Sequence, residues 1–231
     1  MMQPIVDSLA VWTLPAIAAV LLHDAAQRLV ASWLPAEADA PEPMPSRLPR
    51  FLRAVDPVGT VIVPIALALS GAPVFGWPRH RPFALGEDAL ARRRRLISAL
   101  AGPVASFAAA LVAAMALGAV VAASDGTMSE RGMGWLVTSN LFNFILANAC
   151  MTSFHLLPVP PFDMGRALSA LLPVPARQRL RLAGRLVVLA VIATVVAIPL
   201  LDPHARVGEW IAAPMINAIT RFVLGLVNLT V

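Results

Sequence analysis

The chain has 231 residues, of which 58% are hydrophobic and only 13% are charged, and its mean hydropathy is +0.76. About a quarter of the residues of a soluble domain are charged, so this chain lacks the polar surface that would cover a globule in water. The composition excludes an ordinary soluble domain and predicts an integral membrane protein with a net charge of +5, in which every basic residue is arginine.

Most of the arginines lie between the apolar segments, and their densest run, residues 92–95, directly precedes one of these segments. Arginines at such positions anchor helices to anionic lipid head groups and set the topology. This run and the basic stretch 177–185 are separated by two apolar segments, so we expect both on the cytoplasmic side. The expected partner of these charges is the lipid bilayer and not nucleic acid, in a multi-pass protein of a prokaryotic plasma membrane.

Several apolar segments meet or approach the ~20 residues that a membrane-spanning helix needs. They predict an all-α membrane protein of about six transmembrane helices and one domain, residues 1–231. The sixth segment either spans or lies at the interface, and the second either spans or is re-entrant. Residues 76–95 and 158–185 contain prolines and are predicted as loops. In chain order the apolar segments are residues 5–34, 56–75, 96–123, 135–157, 186–201 and 207–231.

The first apolar segment carries polar residues near its end, where ionisable groups are costly in lipid and are therefore functional candidates. His23 and Gln27 are four residues apart and share a helix face, with Asp24 beside them. In the zinc-protease pattern His-Glu-x-x-His, the two histidines bind the metal and the glutamate takes a proton from zinc-bound water. From these residues alone, the alternative is a polar pair at the membrane edge with Arg28 as the counter-charge.

A second polar group lies in the proline-rich stretch 154–166, which follows the fourth apolar segment. Asp163 comes after two prolines, where an aspartate is by default a helix cap. Broken helices at membrane depth are buried in protein or line a cavity, so we expect Asp163 in the interior or at a polar pocket. His155 is interpreted as a neutral histidine bonded to a backbone carbonyl, and the alternative is a metal ligand.

Taken together and in this order, these motifs resemble the site-2 protease family of intramembrane zinc metalloproteases. The resemblance implies a six-helix membrane bundle with a broken, proline-rich segment before Asp163. It implies zinc as the cofactor, with His23 and Asp163 as ligands, Asp24 at the general-base position and Gln27 at the position of the second histidine. The segments that carry the resemblance are residues 23–27, 56–60, 75–77, 100–103 and 156–163.

The sequence departs from the family pattern at five positions. Asp24 is one methylene shorter than glutamate, and a misplacement of about 1 Å costs about 10²-fold in rate. Gln27 is a poor substitute for imidazole, and the two remaining ligands are fewer than the three of a catalytic zinc site. The substituted residues are Asp24, Gln27, Met164, His155 and Ser106, in place of the family's Glu, His, Gly, Asn and Asn respectively.

These departures predict an impaired or inactive site-2-protease-like metallopeptidase that keeps the membrane fold and binds transmembrane segments of other proteins. The first alternative is an active zinc-dependent intramembrane peptidase with Asp24 as the base. Its metal would be held by His23, Asp163 and either His155 or Gln27. The second alternative is a non-enzymatic membrane protein, such as a small channel or transporter, although the sequence contains no internal repeat.

Overall fold

A computed structural model of the chain describes residues 2–34, 89–124, 132–202 and 207–226. Within these ranges the regular secondary structure is entirely helical, which confirms the prediction of an all-α protein. The predicted segment 56–75 and the motifs at residues 56–60 and 75–77 lie outside the described residues. The helices are α1 (Met2–Trp33), α2 (Ala89–Ala123), α3 (Gly132–His155), α4 (Asp163–Leu171), α5 (Val174–Leu201) and α6 (Val207–Gly225).

In the two segments predicted as loops, residues 89–95, 163–171 and 174–185 are helical. The arginine run 92–95 lies inside α2, which begins at Ala89, and the basic stretch 177–185 lies inside α5. Pro173 is the residue before α5 and Pro175 lies in its first turn, where proline suits a helix because the amide hydrogen has no intrahelical partner. The loop prediction is wrong for these helical residues, because a proline at a helix start does not break the helix.

Helices α1, α2 and α3 pack against one another and form the centre of the molecule. Small residues of α2 are buried where it meets α3 and α6, namely Ala110, Ala113 and Ala114. Small side chains let helix backbones approach closely, as they do in membrane bundles. The Asn143 amide on α3 also donates a 3.0 Å hydrogen bond to the carbonyl oxygen of Val11 on α1, which fixes these two helices relative to each other.

The chain reverses direction between α3 and α4 in the proline-rich segment 156–162, which includes a cis peptide bond between Pro160 and Pro161. The reversal is closed by the amide of Gly165, which donates a 3.2 Å hydrogen bond to the carbonyl of Leu157. Gly165 packs so closely on this segment that a Cβ there would overlap the backbone of Val159. The reversal places the first residue of α4 beside the last residue of α3.

Polar side chains are concentrated inside the bundle, while large apolar side chains cover its outside. Fully buried polar residues include Ser106, Asn148 and Thr152. Two of the described helical stretches, Val11–Trp33 and Arg92–Ala123, are long and apolar enough to cross a membrane, which is weak support for membrane association. The exposed apolar side chains include Leu14, Leu21, Val104, Val112, Leu182, Leu186 and Phe222.

Candidate metal centre

His23 is held against α2 from two sides. Its side chain is 1% exposed, and its Nδ1 atom lies 3.0 Å from the Ser106 hydroxyl oxygen. One turn earlier on α2, Gly102 lies against the face of the imidazole, so closely that a Cβ at this position would overlap the ring. Helix α2 therefore fixes the orientation of the ring and leaves Nε2 facing away from Ser106.

Asp163 is the first residue of α4, and its side chain is completely buried. One carboxylate oxygen, Oδ2, lies 2.8 Å from His23 Nε2 and 2.6 Å from His155 Nδ1. The other oxygen, Oδ1, accepts a 3.1 Å hydrogen bond from Arg166 one turn later on α4. A buried carboxylate needs this density of donors, because its desolvation is otherwise very costly. The expected interior position of Asp163 is observed.

The default interpretation of Asp163 as a helix cap is wrong. The residue at the cap position is Phe162, and its side chain makes no capping hydrogen bond. The carboxylate of Asp163 instead contacts the imidazole of His23, which lies 140 positions earlier in the chain. The helix dipole of α4 adds to this arrangement, since a negative charge is stabilised at a helix N-terminus.

His155 ends α3 and is completely buried beside His23, with the two ring centroids 4.1 Å apart. Its Nδ1 atom bonds the carboxylate of Asp163, so the expectation of a bond to a backbone carbonyl is wrong. Its Nε2 atom is buried and has no hydrogen-bond partner among the described residues. A buried imidazole nitrogen without a partner is unusual, since buried polar atoms normally find one.

His23, His155 and Asp163 form a buried cluster that can hold a metal ion, since one ligand atom from each lies within 4.8 Å of the others. Two imidazole nitrogens and one carboxylate oxygen are typical protein ligands of a divalent transition metal. A tetrahedral ion with bonds of ~2.1 Å keeps its ligand atoms roughly 3.4 Å apart, so small side-chain movements suffice. The residues present therefore fit a metal ion of this type.

The other two candidate residues of α1 lie in different surroundings. The Nε2 atom of Gln27 is 3.4 Å from His23 Nε2, so this side chain faces the cluster from one turn further along the helix. The carboxylate of Asp24 forms a 2.6 Å ion pair with Arg28 at a partly exposed position. The alternative interpretation, with Arg28 as the counter-charge, is therefore confirmed for Asp24 but not for the buried His23.

Three further residues contact the ligand side chains, and the sequence interpretation gave them no role. Gly102 and Ser106 are four residues apart on α2 and face His23, while Arg166 is three residues after Asp163 on α4. The spacing is a signal that could have identified Ser106 and Arg166, because residues three or four apart share a helix face. No protein-family model, curated protein or solved structure matches the chain.

Proposed function

We propose that the chain is a zinc-binding membrane protein of the site-2 protease type, with impaired or absent peptidase activity. The observation that carries this proposal is the convergence of His23, His155 and Asp163 at a buried point. A bound zinc ion would polarise a carbonyl or activate a water molecule at this point. In this proposal His155 supplies the ligand that is lost at Gln27, and the site again has the three protein ligands of a catalytic zinc site.

The proposal of impaired hydrolysis rests on Asp24. A general base must reach the proton that it removes, within about 3 Å or through one water molecule. The carboxylate of Asp24 is instead paired with Arg28, on a side of α1 that is partly exposed. It is also one methylene shorter than glutamate, and both features separate the base from the cluster.

The membrane location is supported by the distribution of side chains. Apolar residues cover the outside of the helices, and the ionisable cluster lies inside, as expected for ionisable groups within a bilayer. The proposed fold has about six transmembrane helices, and the proposed partners are the lipid bilayer and transmembrane segments of other proteins. The prokaryotic plasma membrane and the cytoplasmic placement of the two basic stretches remain predictions.

Zinc content of the detergent-purified protein is the decisive measurement. We expect about one zinc per chain in the wild type, and a fall of more than ~100-fold in zinc affinity for His155→Asn, which exceeds the loss caused by an outer hydrogen-bond partner. The matched control is Ser153→Ala on the same helix, which removes a buried hydroxyl outside the cluster and should leave zinc affinity unchanged. A wild-type protein that binds no zinc would overturn the proposal.

The same three-ligand cluster also favours the alternative of an active peptidase. Restoring the glutamate base and the second histidine of the family pattern distinguishes the two proposals. Wild-type protein and the double variant Asp24→Glu with Gln27→His should be compared on a quenched transmembrane peptide in lipid vesicles. We expect no chelator-sensitive cleavage by the wild type and measurable cleavage by the double variant, because Gln27 already faces the cluster. Chelator-sensitive cleavage by the wild type would establish the alternative.

A further inference from the structure

The hydrogen bond between Ser106 and His23 selects the imidazole nitrogen that faces the cluster. A neutral imidazole carries one proton, so one ring nitrogen donates and the other accepts. The Nδ1 atom of His23 lies 3.0 Å from Ser106 Oγ, whereas Nε2 lies 2.8 Å from Asp163 Oδ2 and 3.4 Å from the Gln27 amide nitrogen. The two shorter contacts, with Ser106 and Asp163, decide the tautomer of His23.

The carboxylate of Asp163 fixes the first of these roles. An ionised carboxylate only accepts hydrogen bonds, so the proton of His23 lies on Nε2 and Nδ1 accepts from the Ser106 hydroxyl. A nitrogen that ligates a metal carries no proton. His23 can then use Nε2 as a ligand only if its proton is on Nδ1, with the ring still neutral.

A hydroxyl group suits both states, because it can donate a hydrogen bond or accept one by rotating about its C–O bond. Ser106 is completely buried, and the missing side chain of Gly102 lets the ring of His23 lie against α2. A side-chain amide has a separate donor and acceptor and would have to flip to do the same. A serine at this position can therefore form a hydrogen bond with His23 in either tautomer of the ring.

We propose that Ser106 is a positioning residue that holds His23 with Nε2 directed into the cluster, and that its Oγ accepts a hydrogen bond from Nδ1 when Nε2 becomes a ligand. This inference rests on the proposed zinc site, but its first half, the orientation of His23 by Ser106, stands on the geometry alone. Partners of this kind, which bond the second nitrogen of a ligand histidine, contribute about 10–100-fold to metal affinity.

The test uses two matched pairs of proteins, wild type with Ser106→Ala and Ser106→Thr with Ser106→Val. Threonine and valine have nearly the same shape, so the second pair isolates the hydroxyl even if the alanine variant is poorly folded. The first readout is zinc affinity, measured by competition with a chromophoric chelator. The second is the ¹⁵N spectrum of the imidazole in lipid, with His23 assigned by its loss in His23→Gln.

We expect zinc affinity to fall about 10–100-fold in Ser106→Ala and Ser106→Val, and to stay within a few-fold of wild type in Ser106→Thr. In the wild type, the spectrum should show the proton on Nε2 without zinc and on Nδ1 with zinc. The variants without a hydroxyl should show altered Nδ1 shifts in both states. Ser153→Ala, which removes a buried hydroxyl elsewhere, should match wild type in both readouts.

The failures of the two proposals are distinguishable. If the wild type binds no zinc, the proposed function fails, while the metal-free spectrum still decides whether Ser106 bonds His23 Nδ1. If the wild type binds zinc and Ser106→Val binds it as tightly as Ser106→Thr, with the same His23 spectrum, the role of Ser106 is overturned and the zinc site stands.

Discussion

His23 and Asp24 are neighbours in the sequence, but the two faces of α1 place them in different environments. His23 is buried against α2 and meets Asp163 from α4, whereas Asp24 is partly exposed and pairs with Arg28 on its own helix. Consecutive residues of a helix point about 100° apart, so one face can contribute to a buried site while the next does not. The side of α1 that carries His23 is therefore packed inside the molecule, whereas the side that carries Asp24 and Arg28 is not.

The polar contacts on the two faces of α1 also differ in the number of helices that they join. On the inner face, side chains from α1, α2, α3 and α4 meet through hydrogen bonds among His23, Ser106, His155 and Asp163. On the outer face, the ion pair of Asp24 and Arg28 lies within one turn of one helix. Removing one partner of a buried ion pair destabilises a fold far more than removing one partner of an exposed pair, so substitutions on the two faces should have very different effects.

The largest effect is expected from Asp163→Asn. The substitution keeps the shape of the side chain but removes the charge that Arg166 and both histidines contact. Breaking a buried ion pair in this way costs about 3–5 kcal/mol of unfolding free energy. Thermal unfolding in detergent should show a markedly lower Tm, and zinc binding should be lost.

The matched control for that prediction is Asp202→Asn, the same chemical change at an exposed residue after α5. Its Tm should stay close to the wild-type value. If Asp163→Asn unfolds at the wild-type temperature, the inner cluster does not stabilise the fold and the contrast between the two faces of α1 disappears.

The second largest effect is expected from Gly102→Ala. A methyl group at this position would overlap the imidazole of His23, so either the ring or α2 must move. Overpacking of this kind costs about 1–3 kcal/mol. Because the ring is displaced from Asp163, zinc affinity should fall together with Tm.

Gly225→Ala is the matched control for this substitution, since a Cβ at the end of α6 meets no atom within 4 Å among the described residues. It should leave both Tm and zinc affinity near wild type. Unchanged zinc affinity in Gly102→Ala would mean that the close contact between Gly102 and His23 is not needed to orient the ring.

The helices and the site were predictable from the sequence to different degrees. Long apolar runs predicted α1, α2, α3 and α6 to within a few residues at most ends, because burial in lipid demands such runs. The short helix α4 and the start of α5 were missed, since the amphipathic and proline-bearing turns there carry no continuous apolar signal. Local composition therefore identified the long apolar helices better than it identified the short elements that complete the site.

Pairing within the site depends on tertiary structure that composition does not encode. The approach of His23 to Asp163 was expected only through the family resemblance, and the partner of His155 depends on the reversal at residues 156–162. Once the reversal places the start of α4 beside the end of α3, the carboxylate of Asp163 lies within reach of His155. The pairing of Asp24 with Arg28, by contrast, follows from the (i, i+4) spacing of two opposite charges on one helix.

The smallest effect is expected on the outer face, from Asp24→Asn. An exposed (i, i+4) ion pair contributes about 0.3–0.5 kcal/mol, so Tm should change little. Zinc affinity should equal that of wild type, because the carboxylate of Asp24 is engaged with Arg28 and is not a member of the cluster. A double-mutant cycle with Arg28→Gln should give a coupling energy of the same small size. A clear loss of zinc affinity in Asp24→Asn would instead place this carboxylate in the metal site.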